Sequence, residues 1–189
     1  MNLVPFEGYM IPGLHFKDCS IWVLNWENNP TPYKKMIEVW ILWYDGKKEC
    51  YISPSGAEVV LRKYHRFDRI IPAKIDLIDN SKGIDLKIRV DEKEICILRL
   101  KYRKSLKYRM INLMLKIGSK DKMGEKGKTE TGQSYHNIPK KIIPLLIEKA
   151  ELMGEKLYTI SRPNIKFSLG DGKPSDESLV NFCTHLLEE

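Results

Sequence analysis

The most regular alternation of apolar and polar positions runs over residues 71–102. Ile71, Ala73, Ile75 and Leu77 fall on one side of an extended chain, with Lys74 and Asp76 on the other. Ile84, Leu86, Ile88 and Val90 then alternate with Asp85, Lys87 and Arg89, and Cys96, Leu98, Leu100 and Tyr102 oppose Arg99 and Lys101. A period of two with one apolar face predicts strands that are half buried and half wet. The links at 80–83 (Asn-Ser-Lys-Gly) and 91–94 are short and polar, so the three strands form an antiparallel meander, with Gly83 free to take a positive φ in its turn. Ahead of them, Pro54 favours an extended entry and Ser55-Gly56-Ala57-Glu58 fits a capping box. Val59, Val60, Leu61 and Tyr64 follow at helical spacing, which predicts a helix ending near 65–68.

The flanking pattern is less regular. Residues 1–20 hold Pro5, Gly8, Pro12 and Gly13 and show little periodicity, which reads as loop with one short strand. Residues 21–26 and 36–44 read as strands, the second turning at Asp45-Gly46 into a return over 49–53. In that hairpin Trp40, Leu42 and Tyr44 share one face while Ile41 and Trp43 share the other. Aromatic rings on both faces call for a sheet covered on both sides, or one curved around a pocket. After the meander, Leu106, Met110, Leu113, Met114 and Ile117 recur at helical spacing opposite Lys107, Arg109 and Lys116, an amphipathic helix whose stripe is expected to join the core. Residues 118–137 are rich in Gly and Lys and nearly free of apolar side chains, which predicts a flexible loop serving as lid or binding loop. Residues 139–155 read as a helix interrupted by Pro144, and Ser175 or Asp176 is placed to cap a last helix carrying Leu179, Phe182, Cys183, Leu186 and Leu187. The expected fold is α+β: a single domain over 1–189 with a curved, mostly antiparallel β-sheet, barrel-like in its curvature, of about seven strands packed by three or four helices.

Composition narrows the class. With 189 residues, 42% hydrophobic and 30% charged, the chain suits one ordinary globular domain. It has no run of 18 apolar residues and no basic, apolar, small-residue leader pattern, so a cytoplasmic protein with no membrane partner is expected. Cys19, Cys50, Cys96 and Cys183 form no CxxC pair and mostly sit in apolar runs, which reads as buried reduced thiols. No metal-ligand spacing is present, and no metal or cofactor is expected. The net charge of +7 admits nucleic acid or an anionic surface as a partner. A Lys- and Ile-rich composition is also a mark of high-temperature organisms. Oligomeric state is not encoded in any pattern.

Candidate chemistry gathers at 64–69, Tyr-His-Arg-Phe-Asp-Arg, where helix gives way to strand. His65 and Asp68 are the catalytic candidates there, since an imidazole titrates near neutrality, and Arg66 and Arg69 are candidates to meet an anionic group. Trp40, Trp43 and Tyr135 are candidate ligand contacts, and His136, following the flexible loop, is a third catalytic candidate. Asp76 with Asp85-x-Lys87 resembles the carboxylate and D/E-x-K set of PD-(D/E)xK nucleases, which would imply metal-dependent cleavage; alternation already accounts for these charges as a wet strand face. Residues 138–144, Ile-Pro-Lys-Lys-Ile-Ile-Pro, resemble the Pro-Lys-Lys segment of acetoacetate decarboxylases, which would imply a nucleophilic lysine. The local pattern itself reads as an exposed basic turn. The leading expectation is a protein that binds an apolar small molecule bearing an anionic group in an aromatic pocket. The alternative is a basic nucleic-acid-binding protein, with or without nuclease activity, that uses 118–137. A third reading is an interaction subunit whose loop orders on a partner.

Overall fold

Extended backbone dominates from the N-terminus onward. In the structure, a computed structural model describing residues 2–118, 124–161 and 163–189, the Pro- and Gly-containing start is the strand β1 (Leu3–His15) rather than a loop. It is followed by β2 (Cys19–Asn28), β3 (Met36–Trp43), β4 (Lys48–Ser53), the helix α1 (Glu58–Tyr64), β5 (Arg69–Pro72), β6 (Lys74–Asn80), β7 (Gly83–Val90) and β8 (Lys93–Tyr102). Then come α2 (Leu106–Ile117), β9 (Glu125–Lys128), β10 (Ser134–Leu152), β11 (Glu155–Lys156) and β12 (Leu179–Glu188). Within 118–137, residues 119–123 lie outside the described residues, 125–128 are β9, and β10 begins at Ser134.

The second and third strands of the meander and the helices on either side of it fall where the pattern places them; the first strand is broken at Ala73, residues 71–72 belonging to β5 and β6 beginning at Lys74, and among the described residues two helices are present, not three or four. Both C-terminal helices of the sequence reading are strands. Pro139 and Pro144 lie five residues apart, and in a helix each would delete a hydrogen bond and clash with the preceding turn. In β10 they sit opposite Cys183 and Leu179. The second misreading, at β12, has a different cause. β12 pairs with β1 on one side and β10 on the other and is apolar towards both layers, so a period of two is lost and its remaining spacing imitates a helix. At α1, Ser55 does not cap; Glu58 reaches back to the N–H of Gly56 (2.8 Å) instead. Gly83 has no positive φ. It is required because a Cβ there would stand 1.9 Å from the carbonyl oxygen of Leu100.

The main path of the sheet runs β5-β4-β3-β2-β1-β12-β10-β8-β7-β6, with β9 and β11 attached to β10. All its pairs are antiparallel except β4 with β5. Its two ends, β5 and β6, are separated in sequence by Ala73 alone, whose N–H donates to Ile52 of β4 (2.9 Å). The sheet therefore curls until its ends nearly meet. β10 makes this geometry: it is 19 residues long, its first half pairs with β12 and its second half with β8.

Curling creates two apolar layers. Ile11, Ile21, Val23, Val39 and Ile41 of one arm face Ile84, Leu86, Ile88, Leu98 and Leu100 of the other, filling the inside. The opposite face of the first arm carries Phe6, Met10, Trp22, Leu24, Trp26, Met36 and Trp40, packed against Leu61 and Tyr64 of α1 and Phe167 and Leu169. Cys19 and Cys96 belong to the first layer and Cys50 and Cys183 to the second; all four are free and buried. Burial pushes the Cys96 thiol up to about 12.

Candidate functional site

The second layer does not close completely. Between the sheet face built by β1, β2, β3, β12 and the start of β10, and a cover made by α1 and residues 169–175, lies a cavity of about 290 Å³. Strand register assembles its wall. Trp22 pairs with Trp40 across β2 and β3, and their rings stack at 5.7 Å and 8°. Across β1, β12 and β10, His185 stands between partners on both sides, and its ring stacks on Trp26 (5.7 Å) and Tyr135 (5.4 Å).

One carboxyl is set into this aromatic wall. Glu38 is only 4% exposed. Its Oε1 accepts the indole N–H of Trp26 (3.2 Å) and its Oε2 that of Trp40 (3.0 Å). Burial drives its pKa up and the two indoles draw it part of the way back, leaving it at about 7. Two neutral donors satisfy the oxygens without supplying a countercharge. Such a carboxyl exchanges its proton near neutral pH, the property a general acid or base needs.

His185 has the opposite displacement. Burial, reinforced by His65 and His136, lowers its pKa to about 3, so the ring is neutral near pH 7. Among the described residues its Nδ1 has no hydrogen-bond partner. His65, at the end of α1, reaches the cavity beside Trp40, ring centroids 4.7 Å apart. Behind it, Glu130 lies 3.5 Å from His65 Nδ1, forms an ion pair with Lys48 and accepts the backbone N–H of Arg66 (3.2 Å). Burial pushes Glu130 up, but these partners outweigh it and hold the carboxyl below its ordinary range.

Of the candidates named from sequence, His65, Trp40 and Tyr135 line the cavity together. Asp68 lies outside it and accepts the backbone N–H of Lys48 (2.7 Å). Arg66 and Arg69 are also outside, the guanidinium of Arg69 lying 3.5 Å from Glu49. Trp43 packs against the inner layer. His136 is buried but does not line the cavity. Sequence reasoning missed Glu38, His185 and Glu130. Glu38 left a signal: it is the lone charge in Met36-Ile37-Glu38-Val39-Trp40-Ile41-Leu42, a run too apolar for a half-wet strand. His185 was hidden by the misread helix.

Neither motif-level resemblance converges on the cavity. Lys140 sits at a bulge and pairs with Glu7 (3.0 Å), while the ammonium of Lys141 lies 5.9 Å over the ring of Phe182. Both are exposed, and neither lines the cavity. Asp76 pairs with Arg89 and Asp85 with Arg99 (3.0 Å). Among the described residues no group of three or more His, Cys, Asp and Glu is arranged to hold a metal ion. No described helix is long and apolar enough to cross a membrane.

Fold and cavity define a class: a single curled, mostly antiparallel sheet with a filled interior and an aromatic cavity on its other face. Solved structures share the fold of this sheet. An acetoacetate decarboxylase from Legionella pneumophila superposes with a TM-score of 0.53 at 13% identity, over 98% of this chain and 84% of its own. A second acetoacetate decarboxylase structure gives 0.50 at 9% identity, over 99% and 87%. The likeness is one of fold. No protein-family model and no curated protein sequence matches the chain.

Proposed function

We propose that this chain binds a compact, largely apolar small molecule in the cavity, with acid–base chemistry available at Glu38. The observation that carries the reading is a fully buried carboxyl, held by two indole N–H groups and facing open space. A structural glutamate in a packed core would be expected to have a cation partner or a solvent path. The volume is at the lower edge of the roughly 300–1,000 Å³ usual for small-molecule sites, so the occupant is small. Stacked rings suit a flat or branched apolar body. A carbonyl or hydroxyl group would meet Glu38, and the free nitrogen of His185 offers a second polar contact. Lys173, exposed at the rim, takes the role first assigned to Arg66 and Arg69, that of meeting an anionic group. Proton transfer to or from the ligand is the chemistry Glu38 supports, with the His65 ring, 3.5 Å from Glu130, on the same cavity wall. The lysine pair at 140–141 has no part in this reading. Nothing in the cavity or in the comparisons favours nucleic acid or nuclease chemistry.

A panel of aromatic and short branched-chain carboxylates, titrated against intrinsic tryptophan emission, tests the reading, because Trp22, Trp26 and Trp40 all line the cavity. Saturable quenching with a raised melting temperature is expected for at least one member, weakened several-fold by Lys173→Gln. Absence of saturable binding across the panel, with no adduct in native mass spectrometry of the freshly purified protein, overturns it.

A further inference from the structure

The helix α2 is oriented contrary to its composition. Its apolar stripe, Leu106, Met110, Leu113, Met114 and Ile117, faces solvent, each side chain between 58% and 78% exposed. Successive gaps of four, three, one and three residues place all five within one arc of about 100°. The opposite side faces the body, with Tyr108 and Leu115 buried. Polar contacts hold it there. Asn112 donates to the carbonyl oxygen of Ile142 (2.8 Å) and accepts its N–H (2.7 Å), clasping one backbone unit of β10, and Tyr108 donates to Glu177 (2.9 Å). Single exposed apolar side chains are ordinary, but a continuous stripe of five on one helix is not.

Charge identifies what covers the stripe. From 103 to 118 the chain carries Arg103, Lys104, Lys107, Arg109 and Lys116 and no acidic residue. Lys107 flanks one edge of the stripe and Arg109 and Lys116 the other, while Arg103 and Lys104 precede the helix. Glu177 is the countercharge at Lys107; Arg109 and Lys116 have no ion-pair partner among the described residues. A second copy of this helix would bring like charges together along both edges. A helix of 12 residues, about 18 Å long, also offers far less than the roughly 800 Å² per partner of a stable interface. An anionic bilayer meets both features: the acyl boundary receives Leu, Met and Ile side chains, and lipid phosphates receive the flanking cations.

We propose that α2 is a membrane-surface contact, lying in the plane of an anionic bilayer with its stripe in the headgroup–acyl boundary and Arg103, Lys104, Arg109 and Lys116 on the headgroups. This is surface attachment, which needs no spanning segment, and it stands apart from the cavity reading.

Flotation of the full chain with vesicles tests it. The protein floats with phosphatidylglycerol-containing vesicles at low salt, floats much less at high salt, and stays behind with pure phosphatidylcholine. Leu113→Asp with Ile117→Asp lowers vesicle affinity by about tenfold or more while the circular dichroism and melting temperature are kept, since both positions are exposed. Arg109→Glu with Lys116→Glu weakens binding independently and reduces its salt dependence. No flotation with anionic vesicles, or flotation indifferent to the stripe variants, overturns the proposal. So does a dimer in sedimentation velocity that Leu113→Asp dissociates in a protein that ignores vesicles, because a second copy then covers the stripe.

Discussion

Glu38 and His185 both border the cavity, and burial gives them opposite dependences on pH. Glu38 keeps its proton up to about pH 7 in the folded chain against 4.5 for the unperturbed group. The folded state thus binds that proton more tightly. The stability it contributes is complete below pH 4.5 and is lost as pH rises through about 7, a loss on the order of 3 kcal/mol. For His185 the folded value of about 3 lies below 6.5, so its contribution is complete above pH 6.5 and is lost as pH falls through 3. Glu38→Gln removes the first dependence and keeps the shape. Urea unfolding over pH 5 to 8 is expected to show the wild type losing stability relative to the variant as pH rises. The absolute stability is less informative, because the amide leaves one indole N–H without an acceptor, at a cost of about 1–3 kcal/mol. Parallel pH profiles would mean that Glu38 is ionised throughout and is no acid near neutrality. Glu38 was legible in the sequence as a lone charge in an apolar run. His185 was not, because β12 carries apolar residues on both of its faces and so shows no period to reveal which side a residue takes.

At the level of elements, β10 and α2 depend on each other. The bulge in β10 between Pro139 and Lys141 precedes Ile142, whose backbone unit is clasped by Asn112 while it also pairs with Asn181 of β12. Asn112→Ala deletes both side-chain bonds and is expected to cost about 1–3 kcal/mol. Hydrogen exchange should show α2 amides losing protection while those of β12 keep theirs; equal loss in both would mean the helix is integral to the sheet rather than pinned to it. The period of α2 was plain in the sequence, yet its direction was misjudged. A helical stripe states that one face differs from the other, not which face the body takes. Here the body takes the face carrying Tyr108, Asn112 and Leu115.

For the molecule as a whole, the two ends of the sheet meet at Ala73 and one long strand serves both arms, so the layers should unfold together. Leu86, 1% exposed in the inner layer, lies on the arm remote from the cavity. Leu86→Ala is expected to cost about 2–5 kcal/mol. Tryptophan emission, dominated by the cavity side, and far-ultraviolet dichroism, which reports every strand, should shift to lower denaturant together and remain coincident. Separate transitions would show that β6, β7 and β8 form an independent unit.

What the sequence determined by itself is whatever touches water on one side. The alternation in β6, β7 and β8 and the short turns between them survive in the structure because a wet face keeps polar residues in register, and the helical period of α2 survives because it is local to the helix, whichever face the body takes. Tertiary structure alone decided the rest. β10 and β12 are strands because they have partners on both sides, a context that overrides local spacing. The aromatic cavity arises where register sets Trp22, Trp26, Trp40 and His185 around Glu38, residues up to 163 positions from one another in the chain. The face of α2 left uncovered was settled by what the body offers the other face: the two-bond clasp from Asn112, the Tyr108–Glu177 bond and the burial of Tyr108 and Leu115. Each of these depends on which distant segment supplies the neighbour, and no local period records that.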